Sequence, residues 1–124
     1  SEGTAGVSHW LRVYNWGFNI PQGATIKGII VGLHRRISGG TATDNNIAVI
    51  NSANTYYTPA TTSNLTWSET TQYVSWGGPY DTWGANWTPT IVNDTNFGSG
   101  YKVNVSSGTV YVDAIEMTVY YSYP

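Results

Sequence analysis

The stretch TIKGIIVGLHRRI, residues 25–37, indicates the fold class because its side chains alternate in character with a period of two residues. One alternating set is apolar throughout and the other is mixed: Ile29, Val31 and Leu33 against Ile30, Gly32 and His34. Successive side chains of a strand point to opposite faces of a sheet, so the apolar set is predicted to face the core. This stretch therefore predicts the longest strand of the protein.

Short β-branched and aromatic runs separated by turn residues fill the rest of the chain, and almost nothing has a helical period. Further strands are predicted at 9–19, 47–50, 71–76, 101–106 and 109–121. The PQGA sequence at 21–24 predicts a tight turn, SGGTATDNN at 38–46 has hairpin-loop composition, and 51–68 is predicted to be a long surface excursion.

Two local signals refine this pattern. Thr88 followed by Pro89 is a helix N-cap with proline at the first helical position, which predicts one short helical turn near 89–94. In the last strand, Val110 and Val112 share one face, whereas Ile115, Met117, Val119 and Tyr121 share the other. A β-bulge near Asp113 and Ala114 would turn both sets inward.

These elements predict an all-β protein, specifically a two-sheet antiparallel β-sandwich of jelly-roll-like form, with a closed barrel as the alternative. A chain of 124 residues has the length of one ordinary domain, so residues 1–124 are predicted to form a single β-sandwich domain. Residues 1–8 are predicted to form an extended N-terminal arm.

Composition narrows the classes of partner. Charged residues make up 10% of the chain, against about 25% in ordinary soluble domains, and the net charge is -2 with no basic stripe. Nucleic acid is therefore not an expected partner. The absence of cysteine rules out disulfides, and no apolar run approaches the ~18 residues of a membrane span, so no membrane insertion is expected. Low charge with many hydroxyls and amides is common in secreted, cell-surface and virion proteins.

Three stretches together resemble a β-sandwich module of virion structural proteins from tailed bacteriophages and of related phage and prophage proteins. They are WLRVYNWGFNIPQGATIKGIIVGLHRR at 10–36, YDTWGANWTPTIVNDTNFG at 80–98 and VDAIEMTVYY at 112–121. The family pattern Gly-Phe-x-Ile-Pro-x-Gly-Ala-x-Ile is matched at 17–26. Its Trp-Gly-x-x-Trp-Thr segment leading to Asn-Phe-Gly is matched at 83–88 and 96–98.

The resemblance implies architecture and a virion context, and it transfers no catalytic, metal or cofactor residue. Related sequences usually have a further segment before the strand that begins near Trp10, whereas residues 1–8 alone precede it here. Three explanations remain open: the module is complete without that segment, the chain was cut from a longer one, or a neighbouring subunit supplies the missing edge.

Candidate chemistry is sparse. His9 and His34 have no flanking ligand at metal spacing and are expected to be ordinary strand or surface residues. Asp81 with Asp94 is the least implausible glycosidase pair. The sequence at 44–46, Asp-Asn-Asn, is expected to be a polar turn in preference to a calcium site, since it lacks the EF-hand pattern.

The aromatic residues are the strongest functional candidates, because 6 Trp and 10 Tyr exceed what a small sandwich can bury. Trp87, Ile91 and Phe97 are predicted to be mostly buried. Tyr80 and Trp83 are predicted to be more exposed and available to a partner. The candidate contacts with another subunit or with a glycan are Tyr80, Trp83, Trp76, Tyr56 and Tyr57.

Arg35 lies on the inward phase of its strand and is predicted to pair with Asp113 near the rim.

The chain is expected to be a non-enzymatic structural subunit of a phage virion, as a capsid decoration, fibre or tail component, or of a similar extracellular assembly. It would act through self-association or contact with other virion proteins. The alternative is a carbohydrate-binding adhesin domain that uses exposed Trp and Tyr against a cell-surface glycan.

Overall fold

The computed structural model describes residues 6–7, 10–58 and 66–123. Its elements in chain order are β1 (Gly6–Val7), β2 (Leu11–Tyr14), β3 (Thr25–Ile50), β4 (Tyr56–Tyr57), β5 (Gln72–Gly77), α1 (Pro89–Asn93) and β6 (Gly98–Ser122). The all-β prediction is confirmed. Of the predicted arm, Gly6 and Val7 pair with Val105 and Asn104, and the rest lies outside the described residues.

Two long strands form the centre of the sheet. β3 and β6 run antiparallel along their whole length, with Thr25 opposite Ser122 at one end and Ile50 opposite Gly98 at the other. β5 flanks β3 along 30–35 and β4 flanks β3 at 49–50, while β2 and β1 flank β6 at 98–101 and 104–105. The six strands therefore belong to one hydrogen-bonded antiparallel sheet.

The predicted loop at 38–46 is wrong, because these residues continue β3 and remain paired with β6. The predicted gap at 107–108 in β6 is wrong for the same reason. Gly39 and Gly108 adopt left-handed φ angles of 72° and 86°, and a Cβ on Gly40 would overlap the carbonyl of Ser107. Glycine thus lets the two paired strands bend together. The same composition is typical of a hairpin loop, so it does not distinguish a bend in paired strands from a loop.

Register shifts keep apolar side chains on the inner face through these bends. Ile29, Val31 and Leu33 are fully buried, as predicted. Pairing of His34 with Ala114 and of Arg35 with Val112 leaves Asp113 as the extra residue, so the predicted bulge is confirmed. Beyond it, the inward side chains contact the core while remaining partly exposed: Ile115, Met117 and Val119. Tyr121 was predicted to point inward and is instead exposed at the end of the strand.

The bend curls the sheet so that the inner faces of its two halves meet. Arg35, in the first half of β3, contacts Asp44 in the second half, and the Trp76 ring of β5 lies 5.9 Å from the Tyr101 ring of β6. The buried core correspondingly draws on both halves, including Val31, Leu33, Ile47, Val49, Val103 and Val105. Burial of these side chains is the main force that holds the curl closed.

The first predicted strand is shorter than expected. β2 covers only Leu11–Tyr14 because Asn15 and Gly17 adopt left-handed φ angles of 62° and 75°, which end the extended conformation. The PQGA turn is confirmed by a hydrogen bond from the Ala24 N–H to the Pro21 carbonyl, with Gly23 at a φ of 87°.

The predicted helical turn is confirmed as α1. The Thr88 hydroxyl accepts the Ile91 N–H at 3.2 Å, and Pro89 occupies the first turn. Trp87 and Phe97 are buried as predicted, and Ile91 is half-buried. The Asn93 amide exchanges two hydrogen bonds with the Ile20 backbone, which fastens α1 to the chain just before the PQGA turn.

Candidate functional site

The predicted aromatic contacts do not form one surface. Only 7% of the surface of Trp76 and 4% of the surface of Trp83 is exposed, so the prediction that Trp83 is exposed is wrong. Neither indole can serve as a surface platform for a ligand. Tyr56 and Tyr57 are half-buried in β4, against the rings of Trp10 and Trp87 respectively. Tyr80 alone matches its prediction, with 87% of its surface exposed.

Trp83 anchors the loop at 78–84 instead of contacting solvent. Its indole N–H donates to the Ile29 carbonyl at 2.9 Å, and its backbone N–H donates to the Asp81 carboxylate at 2.8 Å. The Asp81 carbonyl in turn accepts the Ile29 N–H. Gly77 permits this approach, because a Cβ there would collide with the Ile29 carbonyl and the Trp83 ring nitrogen. Gly77 was the signal in the sequence for this close packing.

The same loop creates a groove lined by tyrosines. Gly28 lacks a side chain where the backbone of Gly78 and Pro79 crosses β3, and any Cβ would overlap that backbone. A register shift between Ile26 and Gly28 makes Lys27 an extra residue opposite the Tyr120 region of β6. The result is a groove of about 270 Å³, here called the tyrosine groove, lined by Lys27, Pro79, Tyr80, Tyr120, Tyr121 and Ser122.

The tyrosines of this groove are exposed. Tyr120 and Tyr121 keep 39% and 38% of their surface, and the ring of Tyr123, also exposed, meets the Tyr121 ring edge-on at 5.7 Å. A hydrogen bond with Tyr123 raises the pKa of the Tyr121 phenol above its ordinary value. Sequence reasoning identified Tyr80 and missed Lys27, Tyr120 and Tyr121; the aromatic run at 120–123 was the available signal.

A second surface lies along β6. Along residues 113–119, no strand among the described residues pairs with the outer side of β6. We call the segment 113–119 of this side the β6 edge. Next to it is an apolar groove of about 350 Å³ between β2 and β6, lined by Leu11, Val13, Trp16, Val112, Asp113, Ala114 and Ile115.

The predicted pairing of Arg35 with Asp113 is wrong. Arg35 is fully buried and binds Asp44 through two parallel bonds, Nε to Oδ1 at 3.1 Å and Nη2 to Oδ2 at 3.0 Å, and its Nη1 donates to Gln72 at 2.7 Å. Trp67 Nε1 and the Tyr101 hydroxyl also donate to Asp44. Asp113 instead accepts a bond from the Thr71 hydroxyl at the surface.

This buried cluster is a structural network. Burial, reinforced by the Asp44 carboxylate, raises the pKa of Tyr101 far above its usual value, so the phenol remains a donor at any physiological pH. Arg35 also stacks over the Trp67 ring, 4.8 Å from its centroid. The prediction of a polar turn at 44–46 is therefore wrong, because these residues lie in β3 and Asp44 serves the core.

The remaining candidates for chemistry have local roles. Asp81 and Asp94 each cap a turn, accepting the backbone N–H groups of Trp83 and Asn96. His34 Nε2 lies 3.0 Å from Glu116 on the outer face, beside the Tyr73 ring; His9 lies outside the described residues. Within the described ranges, no group of three His, Cys, Asp or Glu side chains is placed to hold a metal ion. No helix in the described part of the chain is long and apolar enough to span a membrane.

Comparison with known proteins adds no relative: the chain matches no family model, and no curated protein or solved structure is significantly similar to it.

Proposed function

We propose that this chain is a non-enzymatic structural subunit of a tailed-phage virion, as a capsid decoration, fibre or tail component, or of a similar extracellular assembly. The observation that carries the proposal is the β6 edge: segment 113–119 pairs with β3 on its inner side and with no strand of the described residues on its outer side. A strand at the edge of a sheet directs half of its backbone N–H and C=O groups outward, where another strand can bind them.

The partner proposed for the β6 edge is a second copy of the chain. β5 forms the opposite border of the same half of the sheet, and among the strands of the described residues it pairs with β3 alone. β5 contains no charged residue, so it can lie beside Asp113 and Glu116 of β6 without bringing like charges together. Pairing the β5 of one copy with the β6 of the next would extend the sheet from subunit to subunit.

The apolar groove strengthens this contact. A strand added at the β6 edge would cover Ala114 and Ile115 and approach Leu11 and Val13 across the groove. Main-chain hydrogen bonds between the two strands would fix the orientation of one subunit relative to the next. Removal of apolar surface from water would provide much of the free energy of assembly.

The virion context rests on the sequence motifs at 10–36, 80–98 and 112–121, which resemble the phage module. We further propose that the curled sheet functions as a jelly-roll-like sandwich of two layers. The contacts of Arg35 with Asp44 and of Trp76 with Tyr101 across the interior support this description.

The test adds charge to the β6 edge. Ala114→Lys with Thr118→Lys changes two exposed positions of β6, and Thr90→Lys with Thr95→Lys adds the same charge at exposed positions near α1. In sedimentation velocity and electron microscopy, we expect the wild type and the α1 variant to assemble and the edge variant to remain monomeric, since lysine blocks edge pairing. A wild-type chain that is strictly monomeric at high concentration, or an edge variant that assembles normally, contradicts the proposal.

Carbohydrate binding is the second candidate function, and the tyrosine groove favours it. Exposed aromatic rings beside polar side chains are suited to stack on sugar rings while hydroxyl groups bind at the rim. The platform would be Tyr80, Tyr120 and Tyr121, since Trp76 and Trp83 are buried.

A further inference from the structure

We infer that the tyrosine groove binds a saccharide that carries a carboxylate, such as a uronic or sialic acid. The inference rests on the second candidate function, carbohydrate binding, and is independent of assembly through the β6 edge. It assigns the aromatic rings to the sugar face and the Lys27 ammonium to the carboxylate.

The size of the groove favours a small ring over a protein segment. Its volume of about 270 Å³ lies just below the range of ligand pockets, which span roughly 300–1,000 Å³. A groove of this size accommodates a terminal sugar residue, while the rest of a glycan extends into solvent. A folded partner would require a much larger contact, of roughly 800 Å² on each side.

The tyrosine rings provide the stacking surface. Tyr80 is almost entirely exposed, and Tyr120 and Tyr121 expose more than a third of their surfaces around the same groove. Tyrosine combines an apolar ring with a hydroxyl at low conformational cost, which suits a ligand with an apolar ring face and polar edges. The Ser122 hydroxyl adds a donor and acceptor at the groove wall.

The charge in the groove selects the class of sugar. Among the described residues, Lys27 is the one charged residue that lines it, and it forms no ion pair with any of them. A carboxylate placed beside the rings would therefore lie next to a lysine that pairs with no acid in the described part of the chain, within a chain of net charge -2. A neutral sugar would use the rings and leave this charge without a partner.

The groove is also preorganised. Trp83 holds the loop through its bonds to Ile29 and Asp81, and Gly28 allows Pro79 to pack directly against β3. Tyr80 is thus carried by a loop anchored on both sides, and Lys27 is carried by a bulge within a paired strand. Little of the binding free energy would be lost in ordering the backbone that carries these two side chains.

The experiment compares matched acidic and neutral ligands by NMR titration at low salt. The pairs are sialyllactose with lactose, and trigalacturonic acid with its fully methyl-esterified form. We expect at least one acidic ligand to bind about two- to five-fold more tightly than its neutral match, the range for an exposed ion pair, with the preference lost at high salt. The pair that shows the preference identifies the source of the carboxylate.

Variants assign the contacts. Lys27→Gln should remove the preference for the acid while leaving the neutral ligand unaffected, and Tyr80→Ala should weaken both ligands about five-fold through loss of stacking. Tyr14→Ala, an exposed tyrosine outside the groove, is the matched control and should change nothing. Folding of each variant is checked by its amide spectrum.

The outcomes are distinct. Equal affinity for acidic and neutral ligands, or a preference that survives Lys27→Gln, overturns the acidic class while carbohydrate binding stands. Absence of binding to all four ligands overturns both. Neither result affects the assembly proposal, which depends on positions outside the groove.

Discussion

At the scale of single residues, buried polar groups are fixed by partners that are distant in the sequence. Asp44 accepts bonds from Arg35, Trp67 and Tyr101, so one carboxylate joins both halves of β3 to β6 and to the segment before β5. A buried charge without its partner is far more costly than an exposed one. Substitution of a residue in this cluster is therefore expected to destabilise the protein much more than substitution of a surface carboxylate.

Asp44→Asn tests this difference. The amide keeps the shape of the side chain but removes the charge that neutralises Arg35, so we expect unfolding free energy to fall by about 3–5 kcal/mol. Asp113→Asn is the control, because Asp113 is exposed and bonds only to Thr71 in the described structure; its unfolding free energy should be close to that of the wild type. Chemical denaturation of both variants supplies the measurement, and equal losses would rule out the special role of Asp44.

Trp83 provides the second prediction at this scale. Trp83→Ala removes a buried indole and leaves the Ile29 carbonyl without its donor, so we expect a loss of about 3–5 kcal/mol. Tyr80→Ala, three residues earlier and exposed, should change stability by less than about 0.5 kcal/mol. Urea denaturation distinguishes them; a stable Trp83→Ala protein would show that the indole does not anchor the loop.

At the scale of elements, glycines determine how β3 and β6 bend without separating. Gly39 and Gly108 use backbone conformations that other residues rarely adopt, and Gly40 lies against the backbone of Ser107. The strands continue on both sides of this point, with Ser38 opposite Thr109 and Thr41 opposite Ser107. The bend is thus a property of both strands together.

Gly40→Ala should disturb this bend. The added methyl group must displace the Ser107 backbone, and we expect destabilisation of about 1–3 kcal/mol, as in other overpacked sites. Gly78→Ala is the matched control, because a Cβ there meets no atom within 4 Å. Thermal melts of the two variants give the comparison, and a tolerant Gly40 would mean that the strands can bend elsewhere.

At the scale of the whole molecule, the sequence predicted what is local and missed what depends on the curl. Alternation in 25–37, the Thr88 cap and the extra residue at Asp113 are encoded within a few neighbours, and each was predictable. The composition of 38–46 suits a loop and a bend in paired strands equally well, so strand continuity was not predictable from it. The partner of Arg35 depends on which strand segments the curl brings together.

The residues of the candidate site were likewise predictable only where the signal is local. Tyr80 was recognisable because its turn has many polar and glycine residues and few apolar ones. Burial of Trp83 depends on the carbonyl of Ile29, which is far away in the sequence. Lys27 and Tyr120 meet only because β3 pairs with β6.

The pairing of β3 with β6 also determines the order in which the protein can fold. Thr25 pairs with Ser122, and Ile50 pairs with Gly98, so formation of the β3–β6 ladder brings together residues that are far apart in the sequence. Such non-local pairing makes folding slow, because chain entropy is lost before the contacts that compensate for it form. During synthesis, β3 emerges with its apolar face complete and must wait for β6 to be translated, and through that interval it is exposed to aggregation.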